Sequence, residues 1–482
     1  MASTTTRTSE IVGLGYSDDH VMHAKSLRFA VTPDPYGGGF SPEDTEDGRR
    51  LIAAVDAALA LRAGADVEDL EIDFVYDSAT NFDGLLRRPA VADPAVRKLT
   101  VELPASARAE AMTFNFGDAA LTVPAAGAFH VLTDLQLSHG RVEPSSADER
   151  NLGDLLSASS CPRLGRLRLE RVGGLAAFRL RAAATLEELR LDNVRSLTAL
   201  ELDAPGLREL HVSGCYRLAD SGSTARISVP ALETLACADM CLPDGLEIVD
   251  APASLRCLEK VYLYSHAPDE DWNAGAVGLL QLCTDADSLG LELDISPFEP
   301  GLRMEDTKEM MSCVPLLPNI TNLTINVNGG RWHELKATIS TLAAKCGRVQ
   351  CLSIDIKSAN DLCPKVGCLC NVQDDPTISL EHLREAKITG FGTKVYHWSL
   401  VQLMITGAPA LEKMTVEFIK ASPSQRQQNH DSEDLGFNMP CKGQWSLRHG
   451  DVAIYEWTAD SKREEDERIL AVLICLGYSK YG

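Results

Sequence analysis

The chain has 482 residues, too many for one compact core, so it is either several domains or one extended repeat array. Hydrophobic residues at 45% and charged residues at 24% exclude disorder as the main state. A formal charge of -23 repels phosphate backbones, and no run of Lys and Arg with interleaved aromatics offsets it, so nucleic acid is excluded as the expected partner.

Met1 to Tyr16 lacks the basic start and apolar stretch of a signal peptide, which leads us to expect a cytoplasmic or nuclear protein whose residues 1–24 form a disordered tail. Pro33 to Asp44 is a Gly and Pro loop. Arg49 to Arg62 reads as a helix stopped by Gly64 and leading into a strand around Leu70. From here one pattern recurs: an apolar residue followed by others three and five positions later. It starts at Val67, Val96, Leu132, Leu164, Leu186, Leu197, Leu207, Leu232, Leu258, Ile320, Val349, Leu383 and Leu411, with a partial copy at Leu289, Leu291 and Leu293. Most intervals fall near 20 to 36 residues, but the steps from Leu186 to Leu197 to Leu207 are only 11 and 10, so the array looks irregular.

The spacing has a physical reason. The last two apolar positions alternate on a short strand and share one face, while the first anchors the turn into it. One repeat cannot bury that face alone, so stacked neighbours share a core and their strands form a parallel sheet. The pattern resembles that of leucine-rich repeats, in which Cys215, after Leu207, Leu210 and Val212, takes the small buried position. Links between residues 164 and 263 are short and rich in Gly, Pro and Ala. Beyond about residue 267 they hold helical patterns. Arg331 to Cys346 places Trp332, Leu335, Ile339 and Leu342 on one side and stops at Gly347. Thr393 to Thr406 does the same with Val395, Trp398, Val401 and Met404. Ala421 to Met439 has the composition of a mobile insertion, Val452 to Trp457 alternates as a strand, and Glu464 to Leu476 reads as a helix. The apolar run Ile469 to Leu476 is too short to span a bilayer, which takes about 20 residues, so no membrane partner is expected.

Three stretches in the last third carry a closer likeness. Cys363-Pro-Lys-Val-Gly-Cys368-Leu-Cys370, Leu383 to Phe391 and Ala408 to Phe418 resemble the Cys-rich loop, the following strand and turn, and the most recognisable strand of plant F-box, FBD and leucine-rich-repeat proteins. The resemblance implies an α/β leucine-rich-repeat solenoid, a horseshoe with parallel strands on its concave face, over residues 25–375. An FBD-like α/β cap would follow over 376–482, its mobile insert near 421–439. It also implies a substrate-recognition subunit of a cullin ubiquitin ligase that docks on a Skp-type adaptor through an N-terminal F-box. Residues 1–24 are too few to hold that box, and the first tryptophan is Trp272. The expectation is therefore the repeat and FBD-like portion alone, either a ligase-type receptor part or truncated member, or an interaction scaffold unconnected to ubiquitin.

No chemistry is expected. The histidines form no His-x-x-x-His or Glu-x-x-His pair, Gly37 to Gly39 lacks a phosphate-loop lysine, and Gly13 to Gly15 precedes no strand and helix unit, so catalytic residues and cofactors are expected to be none. Cys363, Cys368 and Cys370 with His382 or Cys351 have partial zinc spacing, but the third thiolate lacks its mate, and a stapled or buried loop is the expected reading, with no metal. The residues that alternate with the buried leucines would line the inner surface: Arg166, Arg168, Glu188, Arg190, Glu201, Glu209, Lys260, Tyr262, Tyr264 and Glu292. Aromatic and Arg side chains anchor protein interfaces, so Arg166, Arg168, Arg190, Tyr262 and Tyr264 are the candidate contacts for a protein partner. His211, between Leu210 and Val212, is either a further contact or a solvated strand residue.

Overall fold

The computed structural model describes residues 26–30, 53–55, 57–61, 67–73, 100–102, 109–115, 120–122, 128–142, 151–220, 222–238, 246–249, 255–267, 273–282, 284–295, 308–328, 332–357, 379–391, 395–418, 444–449 and 453–458. The chain divides into two compact units, Met1–Leu255 and Arg256–Gly482. It is an α/β fold of large, mostly parallel sheet with few helices, and among the described residues no sheet closes into a barrel.

The first unit contains β1 (Ser26–Ala30), β2 (Val67–Asp73), β3 (Thr100–Glu102), β4 (Ala109–Asn115), β5 (Ala120–Thr122), β6 (Asp134–Ser138), β7 (Arg141–Val142), β8 (Arg166–Glu170), β9 (Ala177–Arg181), β10 (Glu188–Asp192), β11 (Ala199–Asp203), β12 (Glu209–Ser213), β13 (Thr224–Ser228), β14 (Thr234–Ala238) and β15 (Leu246–Val249). A main sheet runs in the order β1-β2-β4-β6-β8-β10-β12-β14, a second as β9-β11-β13-β15, and a third as β3-β5-β7. In the main sheet Leu135, Leu167, Leu189, Leu210 and Leu235 stand in one register row, and Leu137, Leu169, Leu191, Val212 and Cys237 in the next. All ten are buried, as are Phe178, Leu200, Ala225, Leu180, Leu202 and Ile227 of the second sheet. Each fully buried leucine contributes about 1.5–3 kcal/mol relative to exposure. Shared rows of this kind hold the stack together.

Two sheets, where one was expected from the spacing, explain the short steps. The triplets starting at Leu186 and Leu207 enter β10 and β12 of the main sheet, while the one at Leu197 enters β11 of the second. The 11- and 10-residue intervals thus arise because successive triplets alternate between the two sheets. Leu175, Phe178 and Leu180 make a further triplet of the same spacing, leading into β9.

Each main strand from β6 to β12 is followed at once by a residue in the left-handed region: His139, Arg171, Asn193 and Gly214. Their amides donate to the carbonyls of Glu170, Asp192, Ser213 and Ala238, each at the end of the next main strand. Glycine suits this turn at position 214, where an added Cβ would stand 2.7 Å from Oδ1 of Asn193. Val172, Val194 and Cys215 come next in their repeats and are buried. The Cys215 thiol donates to the Leu191 carbonyl at 3.8 Å, and burial pushes its pKa up to about 11.

The second unit contains β16 (Cys257–Tyr264), β17 (His266–Ala267), β18 (Ser288–Asp294), β19 (Lys308–Glu309), β20 (Asn322–Asn328), β21 (Cys351–Ile356), β22 (Glu385–Phe391), β23 (Lys413–Phe418), β24 (Gln444–His449) and β25 (Ala453–Thr458). Its main sheet runs β16-β18-β20-β21-β22-β23-β25-β24, parallel as far as β23 and antiparallel over the last two strands. The links carry helices Ala274–Leu282, Trp332–Lys345 and Val395–Gly407. Leu335, Ile339 and Leu342 are buried at helical spacing, as are Val401 and Met404 of the next helix. The partial copy at Leu289 is β18, and buried Ala286 supplies its first position. In β16 a bulge at Lys260, with φ 57°, shifts the register so that Leu258 faces Leu289 while Val261 faces Leu291.

Several expectations lie outside the described residues: the tail, Pro33 to Asp44, both ends of the Arg49 to Arg62 helix, Val96, the Cys363, Cys368 and Cys370 loop, the 421–439 insert and the Glu464 to Leu476 helix. The side chains of Trp332, Val395 and Trp398 lie outside them too.

Candidate functional site

In the first unit the side chains between the buried leucines of the main sheet form rows on its outer face. One row reads Gln136, Arg168, Arg190, His211 and Ala236, and the row beside it Asp134, Arg166, Glu188, Glu209 and Thr234. Neighbouring strands lie about 4.8 Å apart, so Arg168 and Arg190 stand side by side. Glu188 stabilises this crowding of positive charge: it pairs with Arg168 at 3.1 Å and also with Arg190. Glu188 is only 12% exposed, while both arginines keep more than 40% of their side chains exposed. Arg166 pairs with Asp134, whose carboxylate holds the guanidinium above its ordinary pKa. His211 is one-fifth exposed, with Nε2 3.7 Å from Glu209. Beside this row lies an open hollow of about 440 Å³ lined by Glu68, Asp69, Glu110, Asp134, Arg166 and Arg168 among others. Glu201, grouped by spacing with these residues, instead lies on the outer face of the second sheet between Arg179 and Arg226.

The second unit builds a denser arrangement. Tyr262, Glu292, Asn326, Asp355 and Thr389 share one row, and Tyr264, Asp294 and Asn328 the next. Glu292 is buried to 8% exposure. Its carboxylate accepts hydrogen bonds from Asn326 Nδ2 at 2.8 Å, Asn328 Nδ2 at 3.3 Å and Lys357 Nζ at 3.2 Å. These donors offset the cost of burying the charge. Tyr262 donates its hydroxyl to Asp294 at 2.8 Å, and its ring meets that of Tyr264 edge to face with centroids 5.0 Å apart. Thr389 donates to Asp355, and Lys387 pairs with Glu417 at 2.9 Å. Lys260 is exposed on the bulge.

Of the six candidate contacts, the structure therefore brings Arg166, Arg168, Arg190 and His211 together on one face and Tyr262 and Tyr264 together on another. Sequence reasoning passed over Asp294, Asn326, Asn328, Asp355 and Lys357. The signal was present in Asn322-Leu-Thr-Ile-Asn-Val-Asn328, which alternates as strictly as the leucine-rich strands.

Among the described residues no three His, Cys, Asp or Glu side chains come together in a way that would hold a metal. Cys351 and His382 are both exposed. No described helix is long and apolar enough to cross a membrane. No family model matches the chain, and no curated protein matches it.

Proposed function

We propose that the chain is a non-catalytic, protein-binding leucine-rich-repeat solenoid, a module of the substrate-recognition type found in F-box subunits of cullin ubiquitin ligases. One observation carries this reading. Successive strands hold polar side chains in register on a sheet face, as in the Gln136, Arg168, Arg190 and His211 row, whose two arginines keep more than 40% of their side chains exposed. Such rows recognise an extended protein surface side chain by side chain, and Tyr and Arg are residues on which interface energy concentrates. The ion pairs of Glu188 with Arg168 and Arg190, and of Asp134 with Arg166, hold the long side chains in one geometry before binding, which lowers the entropy lost on association. The likeness of Leu383 to Phe391 and Ala408 to Phe418 to FBD proteins supports the ligase-related part of the proposal.

The test has two arms. The chain is mixed with a purified Skp-type adaptor, beside the same chain carrying a grafted F-box. Binding by the native chain supports a ligase receptor, whereas binding by the graft alone supports an interaction scaffold. In the second arm, partners captured from extract are compared between the native chain and Arg168→Glu or Arg190→Glu. Identical captures would sink the assignment of this face as the contact surface.

A further inference from the structure

The second sheet of the first unit has an outer face that the proposed recognition surface does not use. Its central row reads Arg179, Glu201, Arg226, Glu247 across β9, β11, β13 and β15. The four side chains are 67, 52, 65 and 62% exposed, so nothing among the described residues covers them. Within the row Arg179 pairs with Glu201 at 3.3 Å and Arg226 with Glu247 at 3.8 Å. An open hollow of about 730 Å³ over this face is lined by Arg179, Arg181, Glu201, Asp203 and Arg226 among others.

The order of charges along this row, plus, minus, plus, minus, becomes its own complement when reversed. A two-fold axis lying in the contact plane, parallel to the strands and between β11 and β13, reverses it. Arg179 then faces the partner's Glu247, and Glu201 faces the partner's Arg226. In the flanking row Arg181 meets the partner's Val249 and Asp203 meets the partner's Ser228. No like charges meet in either row. We propose that this face docks against the same face of a second copy of the chain, through an isologous, charge-matched contact.

The size of the face sets the strength. Four strands about 4.8 Å apart and five residues of about 3.3 Å rise cover roughly 300 Å² per copy. A standard stable interface buries about 800 Å² per partner. The dimer is therefore weak, concentration-dependent and sensitive to salt.

The experiment is sedimentation equilibrium of the full chain across a concentration series. It is run in about 0.15 M salt, where the Debye length of roughly 8 Å screens the overall charge of -23 but leaves ion pairs in contact, and in about 1 M salt, where it is roughly 3 Å. Monomer–dimer exchange at low salt and monomer at high salt is expected. Glu201→Arg makes the row plus, plus, plus, minus and sets like charges against each other at both central contacts. Arg226→Glu does the same with negative charge. Each single variant should be monomeric at low salt. An equimolar mixture of the two restores unlike charges at all four contacts and should dimerise again. So should the double variant Glu201→Arg with Arg226→Glu, whose row is again its own complement. Circular dichroism of each variant confirms that its fold is intact. A native chain that stays monomeric at low salt, a dimer that survives either single reversal, or a mixture that fails to reassociate would each overturn the proposal.

Discussion

The two units stack the same in-and-out strand on different backing, and the length of the link decides which. In the first unit β8, β10 and β12 begin at Arg166, Glu188 and Glu209, so these three main strands start only 21 or 22 residues apart. After a strand and two turns, such a link has room for one more strand but not for a helix of average length, about 11 or 12 residues. It becomes β9 or β11, and these strands pair into a second sheet that leaves a charged face outside. In the second unit β18, β20, β21, β22 and β23 begin at Ser288, Asn322, Cys351, Glu385 and Lys413, 28 to 34 residues apart. These accommodate helices such as Trp332–Lys345, whose Leu335, Ile339 and Leu342 are buried. The length of chain between successive main strands, more than the leucine triplet, sets what lies behind the main sheet.

The largest effects test whether each unit carries its own core. Leu191 and Ile354 stand at matching inward positions of β10 and β21, and both are fully buried. Truncation to alanine should cost about 2–5 kcal/mol in either case, from lost burial plus the cavity left behind. Urea unfolding followed by hydrogen exchange should show Leu191→Ala weakening protection in the first unit alone and Ile354→Ala in the second alone. Loss of protection throughout the chain from either change would mean that the units unfold as one.

A smaller effect separates the outward faces. Glu292 is buried under three donors, whereas Glu201 stands half exposed and is paired with one arginine, Arg179. Glu292→Ala leaves Asn326, Asn328 and Lys357 without their acceptor and should cost about 1–3 kcal/mol in chemical denaturation. Glu292→Gln keeps the shape but leaves the Lys357 charge unmatched, so it should fall between Ala and the native chain. If Glu292→Ala proved neutral, the hydrogen-bonded cluster would contribute nothing to the second unit.

Much of this contrast was legible in the residues, and the part that was not has a definite cause. The triplet spacing marks strands and their inward side, because alternation alone decides which side chains share a face. It therefore placed Arg168, Arg190, Tyr262 and Tyr264 outward. It does not say which sheet a strand joins, because β10 and β11 carry the same pattern, Glu-Leu-Arg-Leu-Asp and Ala-Leu-Glu-Leu-Asp. Glu201 was thus assigned to the wrong face. β13 was invisible for a different reason: Gly222 occupies its anchor position and Ala225 its first inward one, so no apolar triplet is present. The hydrogen bond that joins Glu292 to Lys357 spans 65 residues and is set by register, which one sequence does not display.

The thiols extend the comparison to pH. Cys215 of the first unit and Cys346 of the second are buried without a counter-charge, and burial pushes them up to about 11 and about 12 from an ordinary 9.0. An acid whose pKa is higher in the folded state keeps its stabilising contribution below pH 9 and loses it as pH rises through the folded value. Alkaline destabilisation should therefore begin near pH 9 in both units and diminish in Cys215→Ala and Cys346→Ala, each relative to its own stability at pH 7. At pH 8 iodoacetamide should modify exposed Cys313 and Cys351 in the native chain and spare Cys215 and Cys346. Rapid labelling of Cys215 but not Cys346 would show that the two-sheet part opens more readily than the helix-backed part.

The smallest expected change in stability is also the one that isolates the second sheet. Arg179 and Glu201 form a solvent-exposed pair at 3.3 Å, and such pairs contribute about 0–1 kcal/mol because water and salt screen them. Glu201→Arg should therefore leave the denaturation midpoint within about 1 kcal/mol of the native value, even though it reverses a charge on every copy. A cost of several kcal/mol would instead place Glu201 among the groups that hold β9, β11 and β13 together. Near-neutral folding combined with lost self-association separates the two roles of the row. The buried Phe178, Leu200 and Leu202 would then stabilise the sheet from within, and the alternating charges outside would act in the proposed self-association alone.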